Sequence, residues 1–248
     1  MRLTLVMPVY KEHRRLDKSI RQVIAFMSAE RENGIDVDVI FVDDGSPDDS
    51  AAIVNTIIAD MADPDIRLLR YERNQGKGFA VKTGILAAEG DMILMSDADL
   101  STPLEDWRKL KDALDNGADI ACGSRAVHGA HIGKAPPLHR RILSRVFNIL
   151  VRLSGVHGIR DTQCGFKLFR SGQAKEIFSR LRIKRFAFDV EMIAMARDFG
   201  FKVVEVPVRW DYSGHSTVRV FTSGGRMLFD VFNLAVRRLF CGKTKRCE

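Results

Sequence analysis

The chain has 248 residues, 46% hydrophobic and 29% charged, a globular composition that can bury a full core as one large domain or a domain with a C-terminal appendage. No apolar run approaches the ~18 residues a membrane-spanning helix needs, and the chain enters an apolar strand directly after Met1, so no cleaved leader is expected. The four cysteines match no zinc spacing and read as reduced thiols of a cytosolic compartment, while the net charge of +7 suits nucleic acid, anionic membrane or phosphorylated partners.

Leu3–Pro8 reads as a first strand, ended by a proline that belongs at a strand's edge. Val9–Glu12 follows as a loop, and Leu16, Ile20, Val23, Ile24 and Met27 recur at helical spacing up to Asn33-Gly34. Val37–Val42 is a second strand, running into the turn formers Asp43-Asp44-Gly45-Ser46-Pro47. A helix over about Ser50 to Met61 precedes a third strand, Arg67–Tyr71. The loop Asn74-Gln75-Gly76-Lys77-Gly78 opens a helix through Ala88, and Met92–Met95 is a buried strand ending in Ser96-Asp97-Ala98-Asp99. This alternation predicts an α/β fold, a mostly parallel sheet with helices on both faces.

Pro103 to Asn116 reads as a helix and Asp119–Gly123 as a strand ending at Ser124-Arg125, after which the alternation stops. Ala126 to Pro137 has the look of a mobile loop, and its histidines with the next one, His128, His131 and His139, match no common metal spacing. Between Asp119 and Asp161 there is no acid, while Arg125, Lys134, Arg140, Arg141, Arg145, Arg152 and Arg160 all fall there. Leu138–Leu153 carries an apolar stripe beside arginines, as a core helix with a solvated face or an interfacial helix on anionic lipid would. Asp161–Lys167 is a polar turn entering a short strand, followed by a helix near Val190–Phe199 and a strand over Lys202–Pro207. A last helix, about Gly225–Phe240, ends in cations; residues 221–248 are expected as a basic amphipathic appendage to a domain over 1–220.

Aspartates at i and i+2 after a strand sit in a turn, so both carboxylates can face one point beyond the sheet edge, where open α/β sheets bind ligands. Mg²⁺ at a phosphate site takes one or two carboxylates plus substrate oxygens. The same residues suit a solvated turn or a helix cap before Ser101-Thr102-Pro103, and the pair alone does not choose. A dehydrogenase is excluded because Pro8–Glu12 has no glycine to admit a pyrophosphate. A P-loop is excluded because Gly76-Lys77-Gly78 lacks the spacing and the hydroxyl.

Met7-Pro8-Val9-Tyr10-Lys11-Glu12, Val42-Asp43-Asp44-Gly45-Ser46, Asn74-Gln75-Gly76-Lys77-Gly78, Asp97-Ala98-Asp99 and Gly123-Ser124-Arg125 stand in the order of family 2 glycosyltransferases, which residues 1–220 resemble. Asp161-Thr162-Gln163-Cys164-Gly165-Phe166-Lys167 followed by Phe186-Ala187-Phe188-Asp189-Val190-Glu191 is most similar to the polyprenyl- and dolichyl-phosphate sugar synthases, nearest the dolichyl-phosphate glucosyltransferase branch. The resemblance implies a GT-A fold and inversion at the anomeric carbon. It implies that Pro8, Tyr10, Glu12, Val42 and Asp44 frame the nucleotide, Asp44 accepting from a base N–H, with Lys77 and Ala98 against the donor. Asp97 and Asp99 would hold Mg²⁺ or Mn²⁺ against the diphosphate, and Arg125 with Arg140 or Arg141 would contact the acceptor phosphate.

Two positions depart from the family pattern. Relatives place a glutamine ligand two residues after the aspartates; here it is Ser101, which leaves that place to water. Relatives carry a Ser-Lys pair in a loop that closes over the donor phosphates; here Thr217 replaces the lysine, and Arg219 is left to supply a cation among the phosphate contacts.

A lipid phosphate is already anionic and needs positioning, not deprotonation, which the acid-free stretch over 125–160 suits. The resemblance implies glucose transfer from UDP-glucose to a polyprenyl phosphate as the expected activity. Mannose transfer from GDP-mannose is the near alternative, because the base pocket is not legible in sequence. A catalytically silent nucleotide-sugar-binding protein is opposed by the intact aspartate pair and kept open by Thr217. A nucleic-acid-binding protein is opposed by the scarcity of Tyr and Trp and the absence of a recognised module. The lipid acceptor implies a protein peripheral on the cytoplasmic face of a membrane, with Leu138–Leu153 and the C-terminal helix at the interface.

Overall fold

The structure, a computed structural model, describes residues 1–133, 151, 156–211 and 220–241, the last segment with side chains over 224–238. The expected helix Leu138–Leu153 thus lies almost wholly outside the described residues, as do Arg140, Arg141, Thr217 and Arg219. The elements run β1 (Arg2–Val9), α1 (Leu16–Glu32), β2 (Asp36–Asp43), α2 (Ser50–Met61), β3 (Ile66–Arg70), α3 (Lys77–Ala87) and β4 (Met92–Met95). A short 3-10 turn then leads to α4 (Trp107–Asp115), β5 (Ile120–Ser124), β6 (His131–Ile132), β7 (Lys167–Arg170), α5 (Ser171–Arg180), α6 (Phe188–Asp198), β8 (Val203–Pro207), β9 (Arg209–Trp210) and α7 (Val220–Cys241). Among the described residues no helix is long and apolar enough to cross a membrane.

Seven strands form one sheet in the order β3-β2-β1-β4-β7-β5-β8, with β7 antiparallel to both neighbours and the rest parallel. Strand alternation sorts the apolar side chains into two cores. Leu3, Leu5, Met7, Val39 and Phe41 face α1, α2 and α4, where Trp107 is fully buried. Val6, Ile40 and Val42 face α3, α5, α6 and the Val231–Leu234 turn of α7. Gly84 lets α3 close on this face, since a Cβ there would stand 2.4 Å from Val6 Cγ1.

Three expectations are corrected. Pro8 does not end β1: it pairs in register with Val42, and the strand continues to Val9. Val6 O accepts from Ser96 N, so Pro8, two residues on, points its missing N–H to the side where β4 has just ended, and no ladder bond is lost. The loop expected over Ala126 to Pro137 includes β6, which pairs with β9. Its partner is too far along the chain for local patterning to reveal. Ser171–Arg180, not read as an element in the sequence, is α5, burying Ala174, Ile177 and Phe178 at i, i+3 and i+4.

The turn before β7 is held from inside. Lys167, fully buried, donates from Nζ to Asp189 Oδ1 at 2.6 Å, Thr162 O at 3.1 Å and Cys164 O at 2.5 Å. Burial alone would pull the ammonium's pKa down; Asp189, Cys122 and Cys164 together outweigh burial and hold the lysine charged. Removing one partner of such a pair strands the other charge in a dry interior. Lys167→Met is therefore expected to cost about 3–5 kcal/mol in urea unfolding, with Lys167→Met/Asp189→Leu recovering most of it. A loss below about 1 kcal/mol in the single variant would contradict the anchoring role.

Candidate active site

Because β1, β2, β4 and β5 run parallel, the segments that follow them, Tyr10–Glu12, Asp44–Ser46, Asp97–Asp99 and Arg125, emerge at one sheet edge. Strand β7 runs the other way, so it begins at that edge and delivers the turn over Asp161–Phe166 there. This is the edge at which open α/β sheets bind ligands.

At one end, Pro8 and Val42 lie side by side in the ladder, and Lys11 takes a φ of 58° between Tyr10 and Glu12. The Asp44 carboxylate accepts from Asn74 Nδ2 (2.7 Å), Gln75 N (2.7 Å) and Gly76 N (2.8 Å). Burial raises its pKa and these loop amides pull it back. Asp44 therefore fixes the loop that starts α3, a role the sequence did not disclose. Glu12 pairs with Arg15, whose Nη2 lies 2.8 Å from Oε1. Burial raises the Glu12 pKa against Arg15, and Asp99 and Asp97 raise it further, which sets all three acids in one neighbourhood.

Lys77, the first residue of α3, brings Nζ to 2.6 Å from Asp97 Oδ1. The contact is an ion pair without hydrogen-bond alignment, so that buried oxygen has no hydrogen-bond donor among the described residues. Burial would lower the lysine's pKa; Asp97 and then Asp189 outweigh it and keep it charged. Asp99 Oδ1 accepts from Ser101 N at 3.0 Å. The turn is tight: Leu100 adopts φ 46°, an uncommon conformation for leucine, secured by its N–H on Asp97 O at 3.1 Å. Gly165 sits against Asp97, where a Cβ would fall 2.1 Å from Oδ2. Two carboxylates two residues apart at this edge, Asp97 beside the Lys77 ammonium and Asp99, are the oxygen donors that suit a hard divalent cation which also takes substrate oxygens.

Arg125 leaves β5 and forks onto Asp161, Nε at 2.7 Å from Oδ2 and Nη2 at 2.8 Å from Oδ1, while its own N–H reaches Oδ2 at 3.0 Å. Its guanidinium lies 5.1 Å from the Trp210 ring centroid. Burial opposes the charge on Arg125, and the hydrogen bonds to Asp161 together with its negative charge and further nearby groups more than restore it; the same pair holds Asp161 below the usual carboxylate range despite its burial. Glu205 on β8 anchors this turn in its place, accepting from Ser124 Oγ, Arg160 N and Asp161 N at 2.7, 2.7 and 2.9 Å. Cys122 and Cys164 nearby are buried, which pushes their thiols up to about 12 and about 11.

Of the residues expected from sequence, Pro8, Tyr10, Glu12, Val42, Asp44, Lys77, Asp97, Ala98, Asp99 and Arg125 belong to this edge. Arg140, Arg141 and Arg219 lie outside the described residues. Arg15, Asp161, Gly165 and Trp210 were not singled out by sequence reasoning. Asp161 and Gly165 had a signal, since both stand in the polar turn before Lys167; Arg15 and Trp210 had none. The edge thus offers two carboxylates suited to a divalent cation and two oriented cations, Lys77 and Arg125, suited to phosphate oxygens.

Comparison with known proteins agrees with this arrangement. Residues 4–178 match the family model of glycosyl transferase family 2. The dolichyl-phosphate beta-glucosyltransferase of Dictyostelium discoideum is 37% identical over 245 residues, spanning 96% of this chain and 75% of that protein. The protein of the same name from Homo sapiens is 34% identical over 249 residues, spanning 96% and 76%. Among solved structures, glucosyl-3-phosphoglycerate synthase from Mycobacterium tuberculosis in complex with UDP aligns over 98% of this chain and 81% of its own, with a TM-score of 0.68 and 18% identity. The same enzyme with Mn²⁺, UDP-glucose and phosphoglyceric acid gives 0.69 at 16% identity over the same shares of the two chains. Those two structures share the fold, GT-A; the family follows from the sequence matches, and the chain belongs to glycosyl transferase family 2 and is a glycosyltransferase.

Proposed function

We propose that this glycosyltransferase moves glucose from UDP-glucose to a dolichyl-type polyprenyl phosphate, with inversion. The observation that carries the reading is the state of the acids at the sheet edge. Asp161 is committed to Arg125, Asp189 to Lys167 and Glu12 to Arg15. A sugar-hydroxyl acceptor needs a carboxylate base with room to take its proton; a phosphate monoester needs only cations that hold it in line. The names of the relatives favour glucose over mannose, and the neighbour complexes with UDP and UDP-glucose favour uridine over guanosine.

In this reading a phosphate oxygen of the acceptor attacks the anomeric carbon from the face opposite the diphosphate; the new C–O bond forms as the bond to UDP breaks, and UDP leaves with the electron pair. Asp97 and Asp99 would hold Mg²⁺ or Mn²⁺, which when bound neutralises charge on the departing diphosphate. Lys77 lies beside Asp97 to add a second positive charge. Arg125 spends Nε and Nη2 on Asp161, and its Nη1 donors have no carboxylate partner among the described residues, leaving them for the acceptor phosphate. The acceptor's hydrocarbon chain brings the protein to the cytoplasmic face of a membrane as a peripheral component.

The deciding assay pairs UDP- and GDP-sugars with a polyprenyl phosphate, with and without chelator. Transfer is expected only from UDP-glucose with a divalent ion, and Asp99→Ala should lower it by on the order of a thousandfold, the several kcal/mol a metal contributes. Equal rates after chelation would refute the metal's part. Arg125→Lys, which keeps a charge beside Asp161 but loses the fork, should raise the acceptor's KM about ten- to a hundredfold and leave the donor's unchanged; equal changes in both would count against the acceptor role. Co-flotation with anionic liposomes at low salt checks the membrane placement, and a protein that stays at the bottom of the gradient would refute it.

A further inference from the structure

Strand β9 is two residues long and stands outside the seven-stranded sheet, too short to be held by pairing with β6 alone. Its backbone is tied down from the other side. Arg209 N donates to Asp106 Oδ2 at 2.7 Å, and Asp211 N donates to Ser101 O at 2.8 Å. Val208 O and Trp210 O turn the opposite way and accept from His131 N and Gly133 N, at 3.2 and 3.1 Å. The Asp106 carboxylate also takes the side chain of the arginine it holds, Arg209 Nε reaching Oδ1 at 3.0 Å. Asp106 is buried in the short turn before α4, so one fixed carboxylate sets both the backbone and the guanidinium of Arg209.

Both ties come from the segment that follows the aspartate pair. Ser101 donates its N–H to Asp99 Oδ1 at 3.0 Å and holds Asp211 with its carbonyl. Trp210 stands between the two tied residues, with the Arg125 guanidinium 5.1 Å from its ring centroid. The fork of Arg125 onto Asp161 orients two N–H groups within the guanidinium plane. A fork is also a hinge, because the plane can still swing about the line joining its two bonds. An aromatic face laid against the guanidinium removes that swing. The face is only as fixed as the strand that carries it.

We infer that β9 is a strut between the Asp97–Ser101 turn and the acceptor-side cation, and that Asp106 is a positioning residue which, through Arg209 and Trp210, sets the direction in which Arg125 presents its Nη1 donors. The inference rests on the proposed reading of Arg125 as the group that meets the acceptor phosphate, and it adds the residues that aim it. Asp106 touches neither substrate in this account and acts only through the strand.

The test uses the full chain labelled with ¹⁵N-arginine. The Arg125 Nε–H, bonded to Asp161, gives a signal identified by its loss in Arg125→Lys, and the ring current of Trp210 displaces it. Trp210→Leu removes the ring and moves the signal; Asp106→Asn, which loses the charged fork onto Arg209, is expected to move it in the same direction. Transfer from UDP-glucose with Mn²⁺ to a polyprenyl phosphate is followed on the same variants. Trp210→Leu should raise the acceptor's KM about three- to tenfold, the size of one cation–π contact, and Asp106→Asn about threefold, with the donor's KM unchanged in both. Trp210→Phe, which keeps a ring face, should restore most of the acceptor's KM. A residue that merely held the fold would move both KM values together and leave the Arg125 signal in place. The inference is overturned if Asp106→Asn keeps the parent's Arg125 signal or the parent's acceptor KM, if the donor's KM rises with the acceptor's, or if Trp210→Phe is as impaired as Trp210→Leu. Should Asp106→Asn fail to fold, Arg209→Met, at a half-exposed side chain, removes the side-chain half of the same contact and is read by the same two measurements. A parent that transfers no sugar to polyprenyl phosphate sinks the proposed function; the Arg125 signal needs no acceptor and then decides the strut by itself.

Discussion

The buried contact between Lys167 and Asp189 is what the geometry of the transfer centre depends on. One ammonium satisfies a carboxylate on α6 and two carbonyls of the turn before β7. That turn carries Gly165, whose backbone stands where any side chain would strike Asp97. On the other side of Asp97 is Lys77, itself held charged in part by Asp189. The charges alternate from Lys167 through Asp189 and Lys77 to Asp97. In a low-dielectric interior such a series is stable only while every member is present. The aspartate that faces the ligand edge is thus held in part through Lys167 and Asp189, which are buried behind that edge.

The reversed strand makes this possible. Were β7 parallel to its neighbours, its leading turn would open at the opposite edge, and neither Gly165 nor Asp161 would meet the residues that follow β4 and β5. Running antiparallel between β4 and β5, it lays Asp161 beside Arg125 and Gly165 beside Asp97 at once. The break in the strand–helix alternation after β5 is the covalent consequence: β5 ends and β7 begins at the same edge, so the chain need not cross the sheet between them.

Local patterning carried the first half of the fold. β2, β4, α2 and α3 were legible because apolar periodicity and turn residues act over a few positions. What failed was nonlocal. Pro8 was read as a strand end because the end of β4, which makes its missing N–H harmless, is invisible in β1's own sequence. His131–Ile132 is too short to show alternation and exists only by pairing with Arg209–Trp210. The motifs located most of the site, since Asp97, Asp99, Lys77 and Arg125 each follow a strand or open a helix. The partners did not show: Asp161 is 36 residues from Arg125, and Asp189 is 22 from Lys167. Asp44, expected from the resemblance to accept from a base N–H, also holds Asn74, Gln75 and Gly76, a contact its own sequence neighbourhood did not show. Charge type is written in sequence; which charge answers it is settled by topology.

At first sight the pairing of Arg125 with Asp161 spends the cation that the acceptor phosphate of the proposed reaction needs. The opposite follows from the geometry of a guanidinium. A lone arginine at a loop loses much rotamer freedom when it captures an anion. Forked onto Asp161 and laid on Trp210, Arg125 has already lost that freedom on folding, and its remaining donors point in a fixed direction. The carboxylate lowers the net charge of the pair but raises its order, and order is what in-line transfer to an anion that needs no base requires. The same reasoning applies to Glu12 and Asp161, each the fixed half of an ion pair, with Arg15 and Arg125.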